Sequence, residues 1–299
     1  MMAAIKYEQL RGVLTEHEPM SRHTSWRVGG TADRFYQPAD IEDLVLLLQQ
    51  LPDDEPVTWV GLGSNLLVRD GGIRGTVIAT SGMLNEMEQI DAQDIRVEAG
   101  VACAKVARFS VRCGLRGGEF LAGIPGTMGG ALAMNAGAFG NETWECVESV
   151  ETLDKKGGRH LRTTDEYRVD YRQVSGPEDE WFVAARLKFL PGDSEAGSKR
   201  IKQLLAQRGE TQPTQQASCG SVFRNPPDDH AARLIEACGL KGTCVGGACV
   251  SDKHANFIVN MGNAKAADIE ALINKVSDTV QRERGIQLVP EVHMFGEKK

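Results

Sequence analysis

Two glycine-rich stretches carry the strongest chemical signal in the chain. Gly61-Leu62-Gly63-Ser64-Asn65 follows directly on the apolar run VTWV at 57–60. Glycines at the end of a strand permit positive φ and let successive N–H groups converge on an anion. Ser64 and Asn65 add donors with little bulk, and Leu66 resumes the apolar pattern. The second stretch runs Gly123-Ile124-Pro125-Gly126-Thr127-Met128-Gly129-Gly130 and continues through Asn135, Gly137 and Ala138 to Gly140. So many glycines would weaken a plain helix or strand, which predicts backbone laid against a large flat or phosphorylated ligand. A tight structural turn is the competing explanation for either loop alone. Two such loops in one domain suit a cofactor bridged by pyrophosphate. They do not form the dinucleotide fingerprint of a doubly wound fold, because GLGSNL lacks the third glycine and no helical pattern opens after it.

These loops need elements to hold them. Asp40 is placed to cap a helix in which Ile41, Leu44, Val45, Leu48 and Leu51 share one face. VTWV, TVIAT at 76–80 and IRVEAG at 95–100 predict strands, and the segment 102–113 is helical by period and stops at Gly114. VESVETL, the turn KKGG and RHLRT predict a hairpin, and WFVAARLKFL at 181–190 alternates as a strand should. PGDSEAGS at 191–198 gathers Pro, Gly, Ser and acidic residues and is the expected linker. Beyond it the pattern predicts a helix at 199–208, a polar loop and a helix near 229–238. Short strands near 245–250 and 257–260 follow, then a helix over 264–284 closed by Gly285, and a last strand QLVPEVHMF. The expectation is an α+β protein with an N-terminal domain over 1–195, in lobes of roughly 1–75 and 76–195, and a C-terminal α+β domain over 196–299.

Bulk properties narrow the function. The 299 residues are 41% hydrophobic and 25% charged, as in an ordinary globular protein. No apolar run approaches the ~20 residues that span a bilayer, and the N-terminus lacks a basic-then-apolar layout. A cytoplasmic protein with no membrane partner is expected. The formal charge of -7 argues against nucleic acid as a partner. Seven cysteines form no CxxC, and the closest spacing, Cys244 to Cys249, has no histidine at zinc-finger distance. Reduced, packed thiols and no metal site are therefore expected. Nothing in the sequence sets the oligomeric state.

A larger pattern joins the loops to the rest of the chain. His23-Thr24-Ser25-Trp26 with Gly29-Gly30, then GLGSNLLVRDGG, then GIPGTMGGALAMNAGAFG, resembles the UDP-N-acetylenolpyruvoylglucosamine reductase (MurB) family. Tyr171-Arg172, CGSVFRNP, IEACGLKG, VSDKHANFIVN and PEV continue the match in order over nearly the full length. The resemblance implies a two-lobed FAD-binding domain of the vanillyl-alcohol-oxidase type and a C-terminal substrate-binding domain. Related oxidases tether flavin through a histidine in the first glycine loop. Residues 61–72 contain none, so the FAD is expected to be non-covalent. The interval 191–220 is short, like that of the family's shorter subtype, which lacks the tyrosine loop.

The resemblance also assigns roles. Arg172 matches the arginine that grips the substrate carboxylate, suited by its permanent charge and fixed fork. Ser221 matches the proton donor to the enol, and no GxSxG or His/Asp partner surrounds it to suggest a nucleophile instead. Glu291, after Pro290, matches an acid that stabilises the enol, or helps to protonate it, across the carboxylate from Arg172, which calls for a raised pKa. Gly61, Gly63, Ser64, Asn65, Leu66, Gly123, Ile124, Pro125, Gly126, Thr127, Gly130, Asn135, Gly137, Ala138 and Arg224 are the expected cofactor contacts, with Arg224 able to face flavin or substrate. Asn225, Lys241, Lys253 and His254 are expected at the sugar nucleotide. NADPH would be the co-substrate, and the product UDP-N-acetylmuramate, a peptidoglycan precursor. Two other functions fit the same motifs: an FAD-dependent oxidase of this cofactor fold acting on another substrate, and a non-catalytic regulator that binds a sugar nucleotide or flavin.

Overall fold

In the computed structural model, which describes residues 8–299, local sequence signals set several element boundaries directly. Asp40 Oδ1 accepts the Asp43 amide at 2.8 Å and opens helix α1, Ile41–Gln50. Its Ile41, Leu44, Leu47 and Leu48 are buried with Tyr36, Ile78, Leu84, Leu153 and Val183, each burial of this kind contributing about 2 kcal/mol. Helix α2, Cys103–Arg112, ends at Gly114, whose φ of +71° carries the chain out of the helix.

The chain divides into two compact units. One holds the chain as far as Glu16, Arg34–Gly61 and Gly75–Leu204; the other holds His17–Asp33, Leu62–Arg74 and Leu205–Lys299. The first contains a five-stranded antiparallel sheet in the order Arg159–Thr163, Val147–Asp154, Glu180–Lys188, Asp94–Glu98, Met87–Gln89. The expected hairpin is its edge, turned through Gly157 at φ +79°. In a second sheet, Val57–Val60 lies parallel to Ile73–Ala79, with Val57 opposite Thr76, and so delivers the chain to Gly61. The short helix α3, Met128–Met134, occupies the middle of the second glycine stretch.

Helix α4 runs over Ser194–Thr211. The second unit is built on α5, Ala231–Ala237, and α6, Ala266–Arg284, with the antiparallel strands Cys244–Val245, Ala248–Val250 and Ile258–Asn260. The α6 residues Ile269, Leu272, Ile273, Val276 and Val280 share one core with Trp26, Val28, Leu67, Phe223 and Leu288. Trp26 Nε1 donates to the Ile258 carbonyl at 2.7 Å, and Asn260 Nδ2 returns a bond to the Trp26 carbonyl at 2.8 Å. Leu66–Val68 pairs in parallel with His293–Phe295. Asp70 caps α6 by accepting the Ala266 and Ala267 amides, a carboxylate set against the positive end of the helix dipole.

Several expectations need correction. Residues 17–33 and 62–74 group with 205–299, so the compact units are discontinuous, unlike the contiguous lobes 1–75 and 76–195 followed by 196–299. The expected linker 191–198 is the start of α4 from Ser194 onward. Asp193 Oδ1 accepts the Ala196 amide at 2.8 Å, Ser194 Oγ donates to the Val111 carbonyl, and Gly197 fits where a Cβ would lie 2.8 Å from Val111 Cγ2. The last strand is regular only over His293–Phe295, because Pro290 has no N–H and makes a single bridge with Phe223. The cysteines are not all reduced: Cys244 and Cys249 face each other across their hairpin, Cα atoms 4.1 Å apart, and form a disulfide. The other five remain thiols, and burial pushes those of Cys103, Cys146 and Cys219 up to about 12. Among the described residues no helix is long and apolar enough to cross a membrane, and no cluster of His, Cys, Asp or Glu could hold a metal.

Thiol titration of the denatured, unreduced protein is expected to count five thiols, rising to seven after reduction. A count of seven before reduction would remove the Cys244–Cys249 bridge.

Candidate active site

Within the first unit, Gly61 ends the strand Val57–Val60 against the second glycine stretch. A Cβ on Gly61 would lie 2.3 Å from Thr127 Oγ1. Thr127 precedes α3, is 2% exposed, and its Oγ1 is buried with no hydrogen-bond partner among the described residues. A hydroxyl in that state is costly unless something else bonds it. The amides that follow are engaged, Met128 with the Val101 carbonyl and Gly129 with that of Ala99. Gly129 is a packing glycine, since its Cβ would meet Ala99 Cβ at 2.9 Å, and so is Gly123, which lies against Phe139. Gly126 accepts the Cys103 amide through its carbonyl, and Ile124, 7% exposed, joins the core.

Arg172 belongs to the same unit. It sits at the turn between Arg168–Asp170 and Gln173–Ser175 with φ +56°, a backbone region that favours glycine. Its guanidinium donates to the carbonyls of Asn135 at 3.0 Å and Gly137 at 3.3 Å, lies 3.6 Å from the Glu142 carboxylate and covers the Tyr171 ring at 4.8 Å. Gly137 allows this approach, for a Cβ there would stand 3.1 Å from Arg172 Nη1. Asn135, expected at the cofactor, has both ends of its carboxamide engaged within the protein. It adopts the left-handed conformation at φ +45°, its Oδ1 accepts the Trp144 amide and its Nδ2 donates to Glu142. Ala138 pairs with Asn141 in a short two-stranded turn.

The second unit gathers the remaining residues. Gly63 turns at φ +68° so tightly that a Cβ would fall 1.9 Å from the His23 carbonyl, and its own carbonyl accepts the Ser25 amide. Ser64 follows, and Leu66 begins the strand that pairs with His293. Asn65 Nδ2 donates to the Glu291 carbonyl at 3.0 Å, while the Asn65 carbonyl accepts the His293 amide at 3.0 Å. A short antiparallel ladder joins 222–224 to 289–291: the Glu291 amide donates to the Val222 carbonyl, and the Arg224 amide to that of Val289. Ser221 stands one residue before this ladder and Glu291 within it. The structure thus brings Asn65, Ser221, Arg224 and Glu291 into one neighbourhood.

The expected sugar-nucleotide residues are more varied. Asn225 Oδ1 accepts the Ala231 amide and so serves the start of α5. Lys241 is ion-paired with Glu236 at 2.8 Å, and Lys253 Nζ donates to the Gly209 carbonyl at 2.5 Å. His254 Nδ1 accepts the Asn256 amide at 3.3 Å, and its ring meets that of Phe257 edge-on at 4.8 Å. Burial, and then the charge of Lys241, hold the His254 pKa below its ordinary 6.5. Burial and then Arg224 do the same for His293. Two residues not singled out from sequence belong with these groups: Glu142 beside Arg172, and Asn256 beside Ser221. Asn256 had a visible signal, a polar residue inside the apolar run of HANFIVN that is 3% exposed.

Comparison with known proteins covers both units. Residues 32–164 match the model of an FAD binding domain, and residues 212–295 match that of the UDP-N-acetylenolpyruvoylglucosamine reductase C-terminal domain. The UDP-N-acetylenolpyruvoylglucosamine reductase of Alkalilimnicola ehrlichii is 59% identical over 297 residues, 99% of each chain. That of Methylococcus capsulatus is 61% identical over 287 residues, 96% of this chain and 94% of the other. Among solved structures, the UDP-N-acetylenolpyruvylglucosamine reductase of Thermus caldophilus superposes with a TM-score of 0.81 at 32% identity, covering 96% of this chain and 99% of that one.

The two histidines make stability depend on pH in a defined direction. Their folded pKa values lie below 6.5, so the unfolded chain binds protons first as pH falls. Their contribution is full above 6.5 and is lost as pH drops from there through the folded values. The thermal midpoint is expected to fall between about pH 7 and about pH 5, and His254→Gln with His293→Gln to flatten that slope. An unchanged slope would show that neither ring is buried neutral.

Proposed function

Because the chain belongs to the UDP-N-acetylenolpyruvoylglucosamine reductase family, we propose that it reduces UDP-N-acetylenolpyruvoylglucosamine to UDP-N-acetylmuramate with FAD as cofactor and NADPH as co-substrate. The FAD-binding domain spans both glycine loops. The residues present fit a phosphorylated cofactor on one point in particular: Gly61 exposes bare backbone against Thr127 Oγ1, a buried hydroxyl that lacks a partner among the described residues. Gly61, Thr127 and Gly130, whose nearest neighbour for an added Cβ is again Thr127 Oγ1 at 3.8 Å, would hold that part of it. When bound, FAD supplies hydride chemistry for the methylene carbon of the enolpyruvyl group.

The chain's own residues must do the rest. Negative charge grows on the substrate carboxylate as the methylene carbon is reduced, and a proton must then reach the α-carbon. Arg172 meets the first need. Its guanidinium is held by two carbonyls and Glu142, so it requires little reorganisation when charge develops. Glu291 would share that charge by hydrogen bonding to the carboxylate. Ser221 would donate its hydroxyl proton to the α-carbon. A serine is a weak acid, but an enolate-like carbon is basic enough to accept from it.

The observation that carries this assignment is the ladder between 222–224 and 289–291. It pairs the segments that carry Ser221 and Glu291, although 70 positions separate the two residues in sequence (291 − 221). Such proximity supports a shared role at one substrate. The test separates the half-reactions. In anaerobic stopped-flow, Ser221→Ala is expected to leave flavin bleaching by NADPH within about twofold while slowing reoxidation by the enolpyruvyl nucleotide about 10²–10⁴-fold. If both steps fall together at native flavin content, Ser221 is not the proton donor.

A further inference from the structure

Every backbone polar group that fixes the segment after Ser221 can be traced, and one residue accounts for three of the five. Of the five groups from the Val222 amide to the Arg224 amide, two bond to the last segment of the chain: the Val222 carbonyl to Glu291 and the Arg224 amide to Val289. The other three bond to Asn256. Its main-chain carbonyl accepts the Val222 amide at 2.8 Å, its Oδ1 accepts the Phe223 amide at 3.0 Å, and its Nδ2 donates to the Phe223 carbonyl at 2.8 Å. Asn256 is 3% exposed and Phe223 2%, so these bonds form away from water, where leaving one unmade is expensive. On the other side of Ser221, Gly220 turns at φ +70° with no atom within 4 Å of an added Cβ. Ser221 therefore leads directly into a segment whose backbone groups are all held.

We propose that Asn256 is a positioning residue for proton delivery: by clamping Val222 and Phe223 it sets where the Ser221 hydroxyl stands relative to the substrate's α-carbon. The inference rests on the reading of Ser221 as proton donor. Only a carboxamide offers a donor and an acceptor side by side at the spacing of one residue's N–H and C=O. A carboxylate would accept from the Phe223 amide but face the Phe223 carbonyl with a second acceptor, and alanine would leave both groups bare. The clamp is itself seated, since the Asn256 amide donates to His254 Nδ1 at 3.3 Å and the Phe257 amide to the His254 carbonyl at 3.0 Å.

The test uses the holoenzyme with Asn256→Ala and Asn256→Asp, measuring flavin content, thermal midpoint and both half-reactions. Flavin reduction by NADPH is expected to stay within about twofold of the parent. Reoxidation by the enolpyruvyl nucleotide should slow about 100-fold, the scale of a misplaced reacting group, with a larger solvent deuterium isotope effect as proton transfer becomes limiting. Ser221→Ala with Asn256→Ala should be no slower than Ser221→Ala alone, because the two act through one hydroxyl. Reoxidation at the parental rate, effects that multiply in the double variant, or parallel loss of both half-reactions with flavin and stability in both variants would each overturn the proposal. The two readings fail differently. If Ser221→Ala leaves reoxidation intact, the proton-donor assignment falls and this inference with it. If Ser221→Ala is slow and Asn256→Ala is fast, only the clamp is wrong.

Discussion

The geometry around Glu291 depends on one residue of the first glycine stretch together with the pairing to Val222. Asn65 holds the last segment at two points, donating from Nδ2 to the Glu291 carbonyl and accepting the His293 amide on its own carbonyl. These bonds continue into the parallel pairing of Leu66–Val68 with His293–Phe295. Parallel pairing needs a long excursion between strands, and here residues 69–292 make that excursion. The core supplies the reason to pair: Leu67 is fully buried and Val292 nearly so, in the cluster that also holds α6. Asn65 was assigned to the cofactor from its place in a glycine loop. Its visible bonds give it a second task, the registration of the segment that carries Glu291.

A second constraint operates at Arg172. Left-handed backbone at a non-glycine residue costs about 1–3 kcal/mol and persists only where surrounding contacts over-determine it. At Arg172 those contacts are the Asn135 and Gly137 carbonyls, Glu142 and the Tyr171 ring. Asn135 is also left-handed, so two strained residues support each other through the bond from Arg172 Nη1 to the Asn135 carbonyl. Strain held in this way fixes the direction of a permanently charged fork. Asn256 does the corresponding work near Ser221 with neutral groups in place of charged ones.

Much of this was legible in the sequence where the determinant is local. α1, α2 and α6 follow from apolar spacing with Asp40, Gly114 and Gly285 at their ends, and the hairpin around KKGG follows from alternation and glycines. Three features were not. The start of α4 was hidden by Pro191, Gly192 and Gly197, residues that read as a linker until Val111 supplies the surface that Gly197 fits. The Cys244–Cys249 bridge needs the hairpin register, which strands of two and three residues do not advertise. The grouping of 17–33 and 62–74 with 205–299 rests on Trp26 and Leu67 entering a core whose other members lie far along the chain. Periodicity shows that a residue is buried, but not against what.

The glycines teach the same lesson at finer scale. Their density was read as backbone laid against a ligand, and at four of them a protein group also approaches closely. Gly63 admits the His23 carbonyl, Gly123 the Phe139 ring, Gly129 the Ala99 methyl and Gly137 the Arg172 guanidinium. Glycine enrichment therefore reports crowding, whatever the crowding group is. What distinguishes Gly61 is the chemistry of its neighbour. Thr127 Oγ1 is a buried polar atom with no partner among the described residues, and burying an unsatisfied hydroxyl opposes folding. Residues that only pack have no reason to retain such an atom, whereas a site for an anionic oxygen does. Thr127 is thus the residue of these loops whose buried hydroxyl lacks a partner among the described residues, and Gly61 lies directly against it.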